Sequence, residues 1–166
     1  VACALGWACW KTYLSRPETD QLRDCSMGLL GSGLAAAYHH EEALSVREAE
    51  LSMERRLGAS ERSILVMQGN LANTYQALGR LEEAMRLKRD VYSGNLELFG
   101  EKDEHTLVAA NNYVSSLLTL RRFKDVKLLL RKTMPVARRI LGESKDITLR
   151  MRWNYARALY NDDAST

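Results

Sequence analysis

The chain is poor in the residues from which small catalytic and metal centres are built. Of its 166 residues, three are histidine and three cysteine. Cys3, Cys9 and Cys25 all lie in the first 25 positions, are odd in number, and lack the spacing to histidines that a zinc site requires. Such cysteine usage points to a reducing, cytoplasmic setting. Only two prolines occur, which excludes a proline-rich linker. No block of like charge is present, since 24 basic and 21 acidic side chains are mixed along the sequence for a net charge of +3. That leaves no electrostatic footprint for nucleic acid. Long apolar runs are also missing. The most apolar stretch, residues 1–14, is broken by Gly6 and Lys11 and has no basic residues before it, so neither a membrane span nor a secretory signal fits. It is expected to be a terminal helix or the remnant of an upstream repeat. From the start at Val1 rather than Met, the true N-terminus is expected to lie upstream.

What is present is a beat. Leu57-Gly58, Phe99-Gly100 and Leu141-Gly142 recur at intervals of 42 residues, and so do Asn70, Asn112 and Asn154, each followed by Leu71, Tyr113 or Tyr155. A period in the range of about 20–50 residues marks an array in which each unit buries its apolar face only against its neighbours. Function is then expected on a surface shared by several units. Upstream, Glu41-Glu42-Ala43 matches Glu82-Glu83-Ala84 at an offset of 41. The expected division is an N-terminal segment over 1–21, an array over 22–161 (units 22–58, 59–100 and 101–142, with a partial unit 143–161), and a tail over 162–166.

Within each unit the apolar spacing is helical and changes phase once, as two antiparallel helices require. Ile64, Met67, Leu71, Tyr75 and Leu78 form one stripe; after Gly79-Arg80, Leu81, Ala84, Leu87 and Val91 form another. Gly79 is placed as the residue that follows a helix C-terminus, and Ser60 and Ser63 are candidate N-caps. The next unit repeats the pattern with Leu107, Ala110, Val114, Leu117 and Leu118, then Phe123, Val126, Leu129, Leu130, Ala137 and Ile140. There Arg121 stands where the turn glycine was, so the turn must avoid positive φ or accept strain. Pro135 predicts a kink over 131–135. In the opening unit the helices are expected over 27–38 and 40–57, the first weakened by Gly28, Gly31 and Gly33. Residues 147–161 supply only the first helix of a last unit. The flank with Met151, Tyr155 and Leu159 is then expected to be exposed, through truncation or for another chain.

The run Asn70-Leu71-Ala72-Asn73-Thr74-Tyr75-Gln76-Ala77-Leu78-Gly79-Arg80-Leu81-Glu82-Glu83-Ala84 resembles a tetratricopeptide repeat, and specifically the 42-residue form found in kinesin light chains. The resemblance covers about residues 27–160 and is strong over 60–142. It implies an all-α fold, an α-solenoid of antiparallel helical hairpins wound as a right-handed superhelix. It further implies a scaffold that binds a peptide segment of a partner protein in a concave groove, as a cargo or client adaptor. The third unit departs from the pattern at Val114, Leu117, Arg121, Asp125 and Val126, and has Glu104-His105-Thr106 where a histidine-proline pair is usual. Nothing resembles the heptad coiled coil by which light chains join the heavy chain, so the likeness is to the cargo-binding module alone.

The residues put forward for the groove are Asn70, Asn73, Asn111, Asn112, Arg150, Trp153, Asn154 and Arg157. Stacking would align Asn70, Asn112 and Asn154 into a ladder of amides, each able to donate and accept, and by resemblance these contact a peptide main chain. The alternative is that they cap or bridge neighbouring repeats. The carboxylate clamp of chaperone-binding tetratricopeptide domains is matched by Asn73, Asn112 and Arg150, but Gly69 and Asn154 replace two of its three cations. Arg150, Trp153 and Arg157 recur at helical spacing with Tyr160 a turn further, a face suited to an acidic peptide with an aromatic anchor. Adjacent His39 and His40 project apart on a helix and have no third ligand, so no metal or other cofactor is expected. No catalytic motif appears, and enzyme activity is not expected. A structural or self-associating spacer, or the regulatory part of a larger protein, are the other readings.

Overall fold

Helix starts and stops set the architecture. In the computed structural model, which describes residues 2–163, the chain forms α1 (Ala2–Tyr13), α2 (Gln21–Ala36), α3 (His40–Leu57), α4 (Glu61–Ala77), α5 (Leu81–Phe99), α6 (Glu104–Thr119), α7 (Phe123–Leu141) and α8 (Asp146–Asp163), with no strand among the described residues. Side-chain oxygens of Asp20, Ser60 and Asp103 accept hydrogen bonds from the backbone N–H groups of Leu22, Ser63 and His105, satisfying donors that a helix start leaves free. Ser60 is thus the cap, and Ser63 lies inside α4. Asp20 also explains why α2 begins at Gln21, six residues before the start expected from its apolar spacing.

Three interhelical turns share one geometry. At the ends of α2, α4 and α6 the residue after the cap has positive φ: Tyr38 at 63°, Gly79 at 75° and Arg121 at 56°. Each turn closes by the same two backbone bonds. Arg121 N–H donates to Leu118 at 3.1 Å and Arg122 N–H to Leu117 at 2.8 Å, matching Gly79 to Gln76 at 3.1 Å and Arg80 to Tyr75 at 2.9 Å. The paired bonds satisfy carbonyls left open at the helix end. Arg121 therefore takes the strained alternative. The recurring Gly58, Gly100 and Gly142 also have positive φ, and Gly142, at φ 91° and ψ 162°, occupies a region essentially reserved for glycine.

The described chain divides into two compact units, one ending at Arg80 and the other beginning at Leu81. In the first, α1 packs on α2, α2 on α3 and α3 on α4. The contact of α1 with α2 is close because Gly6 has no side chain: a Cβ there would lie 2.8 Å from the Leu30 Cα. Leu30, Leu34 and Ala43 form the buried centre, with Cys3, Trp10 and Val46 packed on it. Gly31 likewise admits the Arg47 side chain, so its role goes beyond weakening α2. Arg47 donates to the Asn70 carbonyl at 2.8 Å and to the Thr74 hydroxyl. Tyr75 donates its hydroxyl to Glu48 at 2.9 Å. These bonds tie α3 to α4.

In the second unit α5 packs on α6, and α6 meets both α7 and α8, which pack on each other. Leu107, Val114, Leu117, Val126, Leu130 and Met151 are essentially inaccessible, each contributing on the order of 1.5–3 kcal/mol by burial. Thr106 donates to the Asn95 carbonyl at 3.0 Å, a buried tie between α5 and α6. Met151, expected on an exposed flank, is 0% exposed. It shares a stripe with Ile147 and Ala158, which face the core while the opposite side of α8 is left open. Tyr155 is half-buried and its hydroxyl accepts from Arg131 Nε at 3.1 Å. Helix α7 runs unbroken through the exposed Pro135.

Candidate peptide-binding face

The open side of α8 and the neighbouring side of α6 form a shallow depression of about 450 Å³, lined by Asn111, Asn112 and Ser115 from α6 and Leu149, Arg150, Trp153 and Asn154 from α8. Residues three and four apart share a helix face. That spacing relates Asn112 to Ser115 on one wall, and Leu149, Arg150, Trp153 and Asn154 to one another on the other. Five of the eight residues put forward from the sequence meet here. Arg157 is exposed on α8 one turn beyond Trp153, outside the lining, and its carbonyl accepts from the Asn161 amide at 2.7 Å. Asn70 and Asn73 belong to α4 of the first unit and are exposed there.

The amides are not equivalent. Asn112 is exposed, whereas Asn111 is 6% exposed and accepts at Oδ1 from Asn154 Nδ2 at 3.0 Å. Within this unit one rung is a bridge between consecutive first helices, with Asn112 left exposed beside it. Trp153 is 72% exposed, a large apolar ring beside a guanidinium. Arg150 Nε lies 2.8 Å from Asp146, but both side chains are well exposed. Such a pair is weak and readily gives way to another carboxylate.

Near the start of α8, charges are held by one another. Arg138 hydrogen-bonds Glu143 and keeps its carboxyl below the usual carboxylate range. Lys145 reaches Glu104 at 3.2 Å. Ser115 and Leu149 were not singled out from the sequence, although their helical spacing from Asn112 and Trp153 carries the signal. Among the described residues no group of three or more His, Cys, Asp or Glu side chains gathers to hold a metal. His39 lies 3.6 Å from Glu42, and His40 stacks edge-on against Tyr38. No helix of the described chain is long and apolar enough to cross a membrane.

A sequence profile of the tetratricopeptide repeat matches residues 64–105. No curated protein matches the chain by sequence. In structure it is similar to BtubC (BKLC) from P. vanneervenii, at 16% identity and a TM-score of 0.79 over 97% of this chain and 65% of that one. The chain thus spans just under two thirds of that relative's length. It is also similar to a Podosopora anserina protein described as a kinesin light chain with nearly identical TPR-like repeats, at 19% identity and a TM-score of 0.84, covering 98% of this chain and 78% of that one. A point variant of that protein gives 20% identity and a TM-score of 0.79 over 97% and 75% of the two chains. The fold is therefore an all-α repeat fold of the class that serves as protein–protein interaction scaffolds. Residues 64–105 thus match a tetratricopeptide repeat, set within that fold.

Proposed function

We propose that the chain holds an acidic peptide segment of a partner protein on the α6/α8 face, as a cytoplasmic cargo or client adaptor of the kinesin light chain kind. The observation that carries this reading is the placing of an exposed indole, Trp153, beside the exposed Arg150 at the rim of a depression of about 450 Å³. A bound aromatic side chain stacks on Trp153. A neighbouring carboxylate displaces Asp146 from Arg150, and Arg157 takes a second one two turns further along α8. The Asn112 amide donates to and accepts from the peptide backbone, which fixes its direction without reading its sequence. Support comes from the chemistry of these side chains and from the scaffold fold itself, which presents a surface between repeats.

The test is fluorescence anisotropy with a labelled peptide of about ten residues bearing one tryptophan among aspartates and glutamates, a length suited to an extended docking segment. Binding is expected to weaken about tenfold in Arg150→Ala and in Trp153→Ala, each loss being worth about 1.4 kcal/mol. The all-amide peptide, with asparagine and glutamine in place of the acids, should bind no better than those variants. Equal binding of the acidic peptide to Arg150→Glu and to the unaltered chain overturns the reading.

A further inference from the structure

A second concavity lies elsewhere in the same unit, sharing no lining residue with the α6/α8 face. Tyr92 and Leu96 of α5, Tyr113 and Leu117 of α6, and Leu128 and Leu129 of α7 line a cleft of about 520 Å³. The Tyr92 and Tyr113 rings stack along it with centroids 6.5 Å apart. Such a volume falls within the range of sites that accept a small ligand or a few side chains. Three charged side chains, Arg122, Asp125 and Lys132, stand at its rim, and Arg122 is already paired with Asp125 at 2.7 Å.

Helix α7 makes this cleft more than a packing imperfection. Between Arg121 and Arg139 there are eight basic residues and one acid, Asp125. Arg122, Lys127, Arg131 and Arg138 are engaged within the unit, by Asp125, Asp162, Tyr155 and Glu143. Lys124 and Lys132 are exposed and have no ion pair among the described residues. They lie one turn before and one turn after Leu128, the same face of the helix. Leu128 is 72% exposed while its neighbour Leu130 is wholly buried. The outer surface of α7 thus offers an apolar knob with a lone cation on each side, next to an aromatic-floored cleft.

We propose that this surface docks an acidic amphipathic helix of another protein. One large apolar side chain of that helix enters between Tyr92, Tyr113 and Leu129, a second covers Leu128, and carboxylates one turn to either side meet Lys124 and Lys132. This is helix-in-groove recognition, in which apolar anchors supply affinity and flanking charges supply orientation and partner choice. The uneven charge of α7 selects the sign of the partner. The cleft beside Leu128 selects a protein segment over a polyanion, because a nucleic acid backbone has nothing apolar to place there.

The test begins with selection from a displayed library of randomised helical peptides on the intact chain, with recovered sequences remade as synthetic peptides and titrated. Expected are acidic sequences with apolar residues three and four apart whose affinity falls about tenfold in Leu128→Asp and in the double variant Lys124→Glu/Lys132→Glu. The same peptides should bind Trp153→Ala unchanged, which separates this surface from the α6/α8 face. All three positions are exposed, so the variants are expected to keep their helices, which circular dichroism checks. Recovery of no peptide sensitive to Leu128→Asp overturns the proposal. So does tight binding of duplex DNA or anionic phospholipid vesicles that is abolished by the double charge reversal but indifferent to Leu128→Asp.

Discussion

Asn154 on α8 donates its side-chain amide to the buried Oδ1 of Asn111 on α6, 3.0 Å away. The two asparagines thus form a polar contact between consecutive first helices. Removing the donor strands an acceptor with little access to water, which costs about 1–3 kcal/mol. Asn154→Ala is therefore expected to destabilise the chain by about 1–2 kcal/mol, and Asn112→Ala by less than about 0.5 kcal/mol because it is exposed. Urea denaturation of both variants, with Asn111→Ala and the double variant completing a cycle, measures the coupling. A coupling near zero would show that the bond contributes nothing.

Arg150 is held by Asp146 one turn earlier on α8, so a ligand carboxylate must compete for it. Asp146→Asn removes the competitor and is expected to tighten binding of the acidic tryptophan peptide about two- to fivefold. The change also removes a charge favourable at a helix start, at a cost of about 0.3–1 kcal/mol. Titration calorimetry at two salt concentrations checks this. The gain should shrink as salt screens the site.

Burial between α2 and α3 pushes the Glu50 carboxyl up to about 7, with the nearby charge of Asp24 adding to the effect and Arg47 opposing it. A carboxyl raised in the folded state binds more protons folded than unfolded. Its contribution is therefore favourable below about 4.5 and is lost as pH rises to about 7. The loss is on the order of 1–3 kcal/mol. Glu50→Gln, which imitates the protonated acid, should be more stable than the unaltered chain at pH 8 and nearly equal to it at pH 4.5. Thermal melts at the two pH values decide it; the same advantage at both would sink the linkage.

Arg121 and Gly79 occupy the same left-handed position in equivalent turns, a conformation that costs a side chain about 1–2 kcal/mol. Arg121→Gly is expected to stabilise by about 0.5–1 kcal/mol, and Gly79→Ala to destabilise by about 1 kcal/mol. Guanidinium midpoints at constant slope report both. Opposite signs are the diagnostic outcome.

Much of the fold was legible because it rests on period. The spacing of Ile64, Met67, Leu71 and Tyr75 is a property of one helix face and survives without knowledge of any neighbour. Helix α3 begins at His40 and ends at Leu57, as its apolar spacing and Gly58 indicate. What could not be read was direction and distance in space. Gly6 looked like an interruption of an apolar run, yet its missing Cβ is what lets α1 lie against Leu30. Asn111 and Asn112 are adjacent and chemically identical, and only the packing of α8 on α6 decides that one is buried in a bridge and the other open. Met151 looked exposed when α8 was read as an unpaired first helix, but it is buried among core residues of α6 and α7. The cleft beneath Leu128 escaped notice because α5, α6 and α7 each contribute a fragment of its wall.

The fastening of α8 bears on how a load would pass through the chain. Its first turns are seated by Ile147 and Met151, its middle by Asn154 and Tyr155, and its last turn by Asp162 gripping Lys127 near the start of α7. Attachments spread from end to end resist being unzipped one at a time. A tug on Trp153 from a tethered partner would be shared along the whole seam, so that α8 behaves as a riveted strut and yields only by sliding bodily.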